Sequence, residues 1–390
     1  MHFTILFRHS ILLLASLLIL LNCSFAQSSA DTTKQRRVIP KEKQLAQKSV
    51  QEEIVMAVVK NNSLASFCTG YIDLKGNYIL EPKFNEAQGF REDFAGVREI
   101  DKWGFIRRGS TKMIPPQFGM VRPFKNNLAA ARTGIAVEGG WGFIDTLGVY
   151  VIPSAYLDAG DFSEGLAATL IQANTLTGKW GYIDRRGKVI ILHEYDSADP
   201  FQNGIARVSK SGNIGGEWGY IDKAGKVVIP FIYTQIGNFR NQLAPACTGR
   251  GLRGLTTGGH WAYINTKGEE VITKQFDAAR DFSNGLAAVK KLNNMIPAWG
   301  FIDTTGTVVI PYSYMDVKDF CDGVVAFKDK GRWGLMDSKG KVIQEAFYQD
   351  IIFPFTHGLI PAKSNNKWGY INTKGEWVIQ PQWAKVDVFY

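Results

Sequence analysis

Trp180-Gly181-Tyr182-Ile183-Asp184 is the stretch of sequence that decides the fold, because close copies of it recur along the chain. The copies that begin with Trp follow one another at steps of 38, 39, 38, 43, 38, 34 and 35 residues. They begin at Trp103, Trp141, Trp180, Trp218, Trp261, Trp299, Trp333 and Trp368. A degenerate first copy begins at Thr69. Self-similarity at a period of roughly 20–50 residues is typical of solenoids, propellers and other repeat arrays. We therefore expect a repeat protein.

The segment after each motif indicates turns and strands. With Trp as position zero, alternate residues of the motif point to opposite faces of a strand. Asp or Asn at plus four opens a turn, and glycine at plus seven supplies the positive φ that a short hairpin requires. A run such as Val227–Pro230 then predicts a buried second strand that ends at its proline. A run such as Gly165–Ala168 predicts a third strand.

Aromatic residues recur at two further fixed offsets. One stands at plus fifteen in all nine copies: Phe84, Phe118, Tyr156, Tyr195, Tyr233, Phe276, Tyr314, Tyr348 and Trp383. Phe stands at plus twenty-one in eight copies: Phe90, Phe124, Phe162, Phe201, Phe239, Phe282, Phe320 and Phe389. We expect the Trp and these rings to interlock between copies, with glycine making room for the ring of the next layer, because bulky aromatics beside obligatory glycines fit a packing role.

The fold class predicted from this pattern is all-β. It comprises about nine three-stranded units of roughly 38 residues in an open, twisted, solenoid-like array. The alternative is a closed, propeller-like ring. The last copy stops at Phe389-Tyr390 without its third strand, and Ala57-Val58-Val59-Lys60 supplies a matching orphan at the start. We expect the open array, because nine units exceed the usual four to eight propeller blades.

The N-terminus has the pattern of an export signal. Arg8 and His9 precede an apolar stretch, and Ser24-Phe25-Ala26 fits a cleavage site. We expect residues 1–26 to be a signal peptide, 27–53 a polar spacer that is partly disordered or helical, and 54–390 the repeat domain. The protein would then be periplasmic, secreted or on the cell surface. The alternative is a lipoprotein tethered at Cys23. No later segment is apolar for long enough to span a bilayer.

Charge and cysteine content suggest no particular partner. Loss of residues 1–26 removes Arg8 and lowers the formal net charge from +9 to +8. Basic residues are scattered through the repeats instead of forming the stripe that nucleic-acid binding requires, so we expect no nucleic-acid partner. Cys68, Cys247 and Cys321 would remain, an odd number that fits small buried residues better than a disulfide framework. We expect a monomer.

Motifs for catalysis, cofactors or metals are not evident. His193, His260 and His357 stand at different repeat offsets, without metal-ligand spacing. The Asp at plus four recurs in most copies, which favours turn capping over acid–base catalysis. Gly249–Gly254 matches a dinucleotide fingerprint by letter but lacks a βαβ context, and is interpreted as an enlarged hairpin loop. We therefore assign no catalytic, cofactor-binding or metal residues.

The motif Trp-Gly-aromatic-Ile-Asp, followed by Gly-Lys-Val-Val-Ile-Pro and Phe-Ser-x-Gly-Leu-Ala, resembles the bacterial WG repeat, also called the KWG repeat. The resemblance covers about residues 54–390. Thr69 in place of Trp, Ala262 in place of Gly and the altered turn Arg107-Arg108-Gly109 depart from the pattern. The resemblance implies an all-β repeat module of many bacterial proteins, with no common activity or catalytic residues to carry over.

The functional hypothesis is an exported, non-enzymatic repeat protein that presents an extended surface to a protein or a cell-envelope glycan. Loops that vary in length between copies are the expected binding edge: Ile171–Lys179, Lys210–Glu217 and Thr248–His260. One alternative is an enzyme with its site on the axis of a propeller-like ring. The other is a purely structural component of the envelope.

Overall fold

The computed structural model describes residues 56–61, 69–110, 113–134, 139–172, 177–212, 215–248, 260–293 and 296–390. The segments assigned as signal peptide and spacer lie outside these residues, as does Cys68. Residues 54–390 belong to one compact unit. The regular structure within the described ranges is entirely β, and they contain no helix of the length and apolarity needed to cross a membrane.

Within the described ranges, thirty-six strands form nine four-stranded antiparallel sheets, here called blades 1–9. Blade 1 contains β1 (Ala57–Lys60), β2 (Thr69–Ile72), β3 (Tyr78–Phe84) and β36 (Lys385–Phe389). Blade 2 contains β4 (Glu86–Ala87), β5 (Phe94–Glu99), β6 (Lys102–Arg107) and β7 (Met113–Phe118). Blade 3 contains β8 (Met120–Val121), β9 (Ala129–Arg132), β10 (Trp141–Ile144) and β11 (Tyr150–Tyr156). Blade 4 contains β12 (Asp158–Ala159), β13 (Leu166–Gln172), β14 (Gly178–Asp184) and β15 (Val189–Tyr195).

The remaining five blades repeat this order. Blade 5 contains β16 (Ser197–Ala198), β17 (Ile205–Gly212), β18 (Gly215–Asp222) and β19 (Val227–Tyr233). Blade 6 contains β20 (Gln235–Ile236), β21 (Leu243–Cys247), β22 (Trp261–Asn265) and β23 (Glu270–Phe276). Blade 7 contains β24 (Ala278–Ser283), β25 (Leu286–Asn293), β26 (Ile296–Asp303) and β27 (Val308–Tyr314). Blade 8 contains β28 (Asp316–Val317), β29 (Val324–Asp329), β30 (Arg332–Asp337) and β31 (Val342–Tyr348). Blade 9 contains β32 (Asp350–Ile351), β33 (Leu359–Ser364), β34 (Lys367–Asn372) and β35 (Trp377–Trp383).

The blades close into a nine-bladed β-propeller, so the expected open array is wrong and the closed-ring alternative is right. Strand β36 pairs antiparallel with β1, with Ala57 opposite Phe389 and Lys60 opposite Lys385. Beyond the strands, Met56 N donates to Tyr390 O at 3.2 Å and Tyr390 N donates to Met56 O at 3.0 Å. Each half repeat leaves an unpaired strand edge, and pairing the two edges satisfies both.

The core is a series of clusters, each shared by two neighbouring blades. One cluster joins Phe143 of blade 3 to Phe162 and Ile183 of blade 4. The cluster at the closure joins Tyr370 of blade 9 to Ile72 of blade 1 in the same way. The closing junction therefore buries the same kind of apolar surface as a junction within the ring.

Each blade has four strands, so the three-stranded unit expected from the sequence is also wrong. The strand that was missed comes first in chain order, and in most blades it is only two residues long. In blade 5, Ser197 pairs with Ser209, and only Asp196 separates this strand from the last strand of blade 4. A two-residue strand has no periodicity from which it could be recognised.

The strand predicted to be buried and to stop at its proline is instead half-exposed and continues. Strand β19 runs through Pro230 to Tyr233, and Val227 is 46% exposed. This strand lies at an edge of its blade, and its pairing register shifts before Tyr233. Proline is tolerated at edges and bulges because its missing N–H has no partner to lose there.

The rings that interlock as pairs are those at plus two and plus twenty-one, whereas the Trp is buried at Trp141, Trp333 and Trp368 and only half-buried in the other copies. Tyr182 and Phe201 are fully buried, with ring centroids 4.8 Å apart across the junction of blades 4 and 5. Equivalent pairs, at centroid distances of 4.7–5.1 Å, are Tyr71–Phe90, Phe105–Phe124, Phe143–Phe162, Tyr220–Phe239, Tyr263–Phe282, Phe301–Phe320 and Tyr370–Phe389. Trp180 itself is only half-buried.

The glycines of the motif have two separate roles, neither of which is room for a ring of the next blade. A Cβ on Gly181 at plus one would lie 2.6 Å from Ile191 O of its own blade, where the pairing register shifts. Gly187 at plus seven has φ +81°, as the hairpin prediction requires, and a Cβ there would lie 3.3 Å from Cγ2 of Ile152 in blade 3. The acidic residue at plus four caps this turn, since Oδ1 of Asp184 accepts from the N–H groups of Arg186 and Lys188 at 2.9 Å.

Candidate functional site

The first strands of the blades, and the turns that follow them, form the inner side of the ring. A cavity of about 890 Å³ touches Arg240 in blade 6, Asp281 in blade 7, Lys318 in blade 8 and Asp350 in blade 9. A single cavity can reach four successive blades at these positions only where the blades converge. The first strands therefore face the concave side of the propeller.

Two further cavities continue this surface toward blade 5. One of about 370 Å³ lies between the turns of blades 5 and 6 and includes Asn203 and Asn241. The other, of about 470 Å³, includes Arg207 of blade 5 and Asp281 of blade 7. Arg207, Arg240 and Asp281 each line two of the three cavities. We call the residues lining these cavities the inner surface of blades 5–9.

Ion pairs neutralise several carboxylates of this surface. Arg207 contacts Asp199 at 2.6 Å, and Arg280 contacts Asp316 at 3.2 Å and Asp319 at 3.8 Å. These side chains are 25–53% exposed, so each pair contributes little to stability. Their main consequence is that the arginines and aspartates are held in defined positions.

Two cations on this surface have no carboxylate partner among the described residues. Arg240, on the turn after β20, is exposed and makes no side-chain hydrogen bond or ion pair within the described ranges. Lys318, after β28, is half-buried with Nζ 4.8 Å from the ring centroid of Trp333. Both groups are available to a ligand that carries acceptor or anionic oxygens.

Two aspartates that stand twenty residues after the Trp of their repeats, Asp161 and Asp319, have raised pKa values. Partial burial raises the pKa of Asp319; Arg280 opposes the rise, and the negative charge of Asp281 on the neighbouring blade adds to it. Burial also raises the pKa of Asp161 in blade 4, whose Oδ1 is buried without a partner in the described structure. A carboxylic acid with a raised pKa beside a second carboxylate is an arrangement that acid–base enzymes use.

Asp281 is itself held by the adjacent blade. Its Oδ1 accepts from Asn238 N and its Oδ2 from Asn238 Nδ2, both at 2.9 Å. A carboxylate that accepts two such bonds is fixed in orientation. Asp281 therefore joins blade 6 to blade 7 as well as lining two cavities.

The fold does not bring the three histidines His193, His260 and His357 together in one site. His193 lies on β15 of blade 4, 2.9 Å from Oγ1 of Thr169, and burial lowers its pKa. His260 is exposed just before β22, and His357 stands in a turn of blade 9 with φ 52°. The described ranges hold no group of three or more side chains that could bind a metal ion. Both described cysteines, Cys247 and Cys321, are free thiols.

The expected binding loops are only partly visible. Residues 173–176, 213–214 and 249–259 lie outside the described ranges, and these include Gly249–Gly254. The loops join the second and third strands, whereas the cavities lie along the first strands and the turns after them. The sequence reasoning missed this surface. One feature of the sequence could have indicated it. The residue nineteen positions after the Trp differs from repeat to repeat in charge and size, and the examples are Asp199, Gly237, Arg280 and Lys318.

Comparison with known structures finds limited similarity. Dihydro-heme d1 dehydrogenase NirN, in complex with DHE, aligns over 86% of this chain and 75% of its own, with 12% identity and a TM-score of 0.45. AztD from Citrobacter koseri aligns over 86% and 97%, with 8% identity and a TM-score of 0.41. The β-propeller domain of the trilobed protease from Pyrococcus furiosus aligns over 69% and 99%, with 12% identity and a TM-score of 0.38. Similarities at this level do not bear on activity.

Comparison with known sequences identifies the repeats. No functionally curated protein matches the chain. The family model described as "WG containing repeat" matches nine stretches, namely residues 70–103, 103–134, 141–171, 180–213, 218–250, 261–294, 299–333, 333–368 and 368–390. These stretches cover well over half of the sequence, and each begins at the Trp of a motif or near the start of one. The chain therefore belongs to the WG-repeat family.

Proposed function

We propose that this protein is an exported, non-enzymatic binding propeller that holds a protein or a cell-envelope glycan on the inner surface of blades 5–9. The observation that carries the proposal is the continuity of the three cavities. Shared lining residues connect them along neighbouring blades, so one extended ligand can contact several repeats at once. Ligand sites commonly occupy such concave, partly polar surfaces.

The chemistry of the surface supports a polar partner. Arg240 and Lys318 supply free cationic donors, while Asn203, Asn241 and Gln242 supply side-chain amides that both donate and accept hydrogen bonds. Apolar side chains such as Phe239, Trp261 and Phe353 line the cavities beside these polar groups. Hydroxyl, amide and carboxylate groups of a glycan or a polar peptide would satisfy these groups.

Export supports a partner in the cell envelope. The apolar stretch after Arg8 and the small residues around Phe25 fit a cleaved signal peptide. A lipid tether at Cys23 would place the propeller at a membrane surface and leave the proposed binding surface unchanged.

Capture of envelope material with matched variants tests the proposal. Immobilised protein is incubated with purified cell-wall glycan and, separately, with envelope protein extract. Lys318→Glu should reduce capture at least about fivefold, since it places a negative charge within the cavity of about 890 Å³. Lys339→Glu is the control, because it makes the same charge change at an exposed hairpin turn outside the three cavities. Equal capture by both variants would contradict the proposed surface.

The rival function is an enzyme, and one observation favours it. Asp281 and Asp319 are neighbouring carboxylates in the same cavity, and paired carboxylates hydrolyse glycosidic bonds in many enzymes. Against this role, Asp281 is held by Asn238 and Asp319 by Arg280. Release of reducing sugar from the captured glycan, abolished by Asp319→Asn, would replace the binding proposal with a hydrolase.

A further inference from the structure

Each blade except blade 1 has a tight turn after its first strand, and this turn points two backbone N–H groups in one direction. The two residues concerned have positive φ values, for example 54° and 61° at Asn126 and Asn127 in blade 3. In blade 6 the corresponding residues are Asn241 and Gln242, with φ values of 50° and 65°. Successive N–H groups in such a turn form a small concavity that attracts anions.

At two junctions this concavity holds a carboxylate from the preceding blade. Glu92 Oε1 accepts from Asn126 N at 2.6 Å, and its Oε2 accepts from Asn127 N at 2.9 Å. Two blades further on, Glu164 Oε2 accepts from Gly204 N at 3.0 Å. The turn is therefore a carboxylate cradle, and the molecule itself shows the ligand chemistry that it takes.

The cradle at blade 5 shows what accompanies such a carboxylate. Glu164 is also paired with Lys223 Nζ at 2.9 Å, from a hairpin turn of blade 5. The hydrogen bond from Lys223 is the main reason that the pKa of Glu164 is lowered, and the N–H groups of Asn203 and Gly204 add to it. The site thus favours the charged carboxylate.

The cradle of blade 6 lacks this internal ligand. The residue of blade 5 equivalent to Glu92 and Glu164 is Asn203, which carries no charge. Asn241 N and Gln242 N have no hydrogen-bond acceptor among the described residues. The space beside them is the cavity of about 370 Å³, which Asn203, Asn241 and Gln242 all line.

The surroundings of the blade 6 cradle supply the groups that complete an anion site. Arg240, the residue before the cradle, is exposed and unpaired within the described ranges. Thr266 stands at the repeat position of Lys223 and offers a hydroxyl donor. Among the described residues, Asp199 is the one carboxylate that lines this cavity, and Arg207 neutralises it at 2.6 Å.

We propose that the cradle formed by the backbone N–H groups of Asn241 and Gln242, with Arg240 beside it, binds a carboxylate group of the partner. The proposal rests on the inner surface of blades 5–9 being the binding surface, and it names the ligand chemistry at one end of that surface. The carboxylate belongs to an acidic sugar or to an acidic side chain, and the test separates these two sources.

The repeat symmetry provides the decisive variant. Asn203→Glu places at blade 5 the residue that fills the cradle at two other junctions, and Glu92 and Glu164 adopt φ values of 46° and 51°, close to the 53° of Asn203. The introduced carboxylate should occupy the cradle and exclude an external one. Asn203→Gln, of the same size and without charge, is the matched control.

The measurement is a titration of isotope-labelled full-length protein followed by amide chemical shifts. The probes are sodium D-glucuronate, with D-glucose as its neutral counterpart, and N-acetyl-aspartate N-methylamide, with the asparagine analogue as its neutral counterpart. The amide signals of Asn241 and Gln242 should shift with one or both acids and with neither neutral compound, and the acid that binds more tightly identifies the source. Asn203→Glu should weaken binding at least about tenfold, Arg240→Gln several-fold, and Asn203→Gln less than about twofold.

Two results would overturn the proposal: unshifted Asn241 and Gln242 signals with both acids, or undiminished binding by Asn203→Glu with its melting temperature preserved. Arg240→Gln keeps the test valid if Asn203→Glu fails to fold, because Arg240 is exposed. Failure of this titration while Lys318→Glu still reduces capture would remove the carboxylate site and leave the proposed function standing. If instead the acids shift the Asn241 and Gln242 signals but Lys318→Glu does not reduce capture, the proposed function is removed and the carboxylate site stands.

Discussion

Closure of the ring can be tested by removing one aromatic ring at the closing blade. Phe389 is 1% exposed on β36, and its ring centroid lies 4.8 Å from that of Tyr370 in blade 9. Phe201 is 0% exposed and lies at the same centroid distance, 4.8 Å, from Tyr182 in the middle of the ring. The two positions are structurally equivalent, so one serves as the control for the other.

The expected cost of Phe389→Ala follows from this equivalence. Truncating a fully buried Phe to Ala costs about 3–5 kcal/mol, the sum of lost transfer energy and the cavity left behind. In a closed ring Phe201→Ala and Phe389→Ala should cost the same to within about 1 kcal/mol, because both rings are enclosed by a blade on each side. In an open chain Phe389 would lie at a fraying end, where truncation costs much less.

Urea unfolding followed by Trp fluorescence measures both costs, and hydrogen exchange locates them. Phe389→Ala should expose amides of β1 and of blade 9 together, because coupling between repeats is confined to neighbours. Deleting residues 54–60 should destabilise blade 9 as much as it does blades 1 and 2. A cost of Phe389→Ala below about 1 kcal/mol beside a full cost for Phe201→Ala would refute closure. So would small-angle scattering from an elongated particle.

Three other predictions follow from the packing, the charges and the N-terminal sequence. Trp180→Ala should cost about 1–2 kcal/mol and Tyr182→Ala about 3–5 kcal/mol in the same unfolding assay, because Trp180 is half-buried whereas Tyr182 is 0% exposed. Glu164 has a pKa lowered by its cradle, so its contribution to stability is complete at neutral pH and is lost as the pH falls through that lowered value. Glu164→Gln should therefore destabilise the protein at pH 7 by an amount that shrinks as the pH falls through the lowered pKa, and a deficit that stays constant on acidification would contradict this account. Intact-mass analysis of the native protein should show a start at Gln27, and a lipid on Cys23 would instead indicate membrane tethering.

The roles of the motif residues could be read from the sequence only where they depend on local geometry. Gly187 and Asp184 belong to a hairpin that positive φ and Asx capping define within a few residues, and both predictions are confirmed. The close approach at Gly181 could not be read from the sequence, because it depends on a register shift in the neighbouring strand. The same is true of Pro230, whose tolerance depends on the strand lying at an edge.

The candidate site was not predicted from the sequence, because it too depends on how separate strands are placed in space. Arg240, Asp281 and Lys318 come from three consecutive repeats but stand at three different offsets from the Trp, namely 22, 20 and 19, so no single repeat position marks the surface. Their shared position on the inner side of the ring creates the surface. The empty cradle of blade 6 becomes evident only after Glu92 and Glu164 are seen to fill the equivalent cradles.

By itself the sequence determined the family, the all-β class and the number of repeats, because these follow from a motif repeated at nearly constant spacing. The tertiary structure decided between an open array and a ring. The two half repeats at Ala57–Lys60 and Lys385–Phe389 fit either architecture as sequences. Closure depends on the rotation between neighbouring blades, which is set by how pairs such as Tyr182 and Phe201 pack. This small rotation, repeated around nine blades, brings β36 against β1.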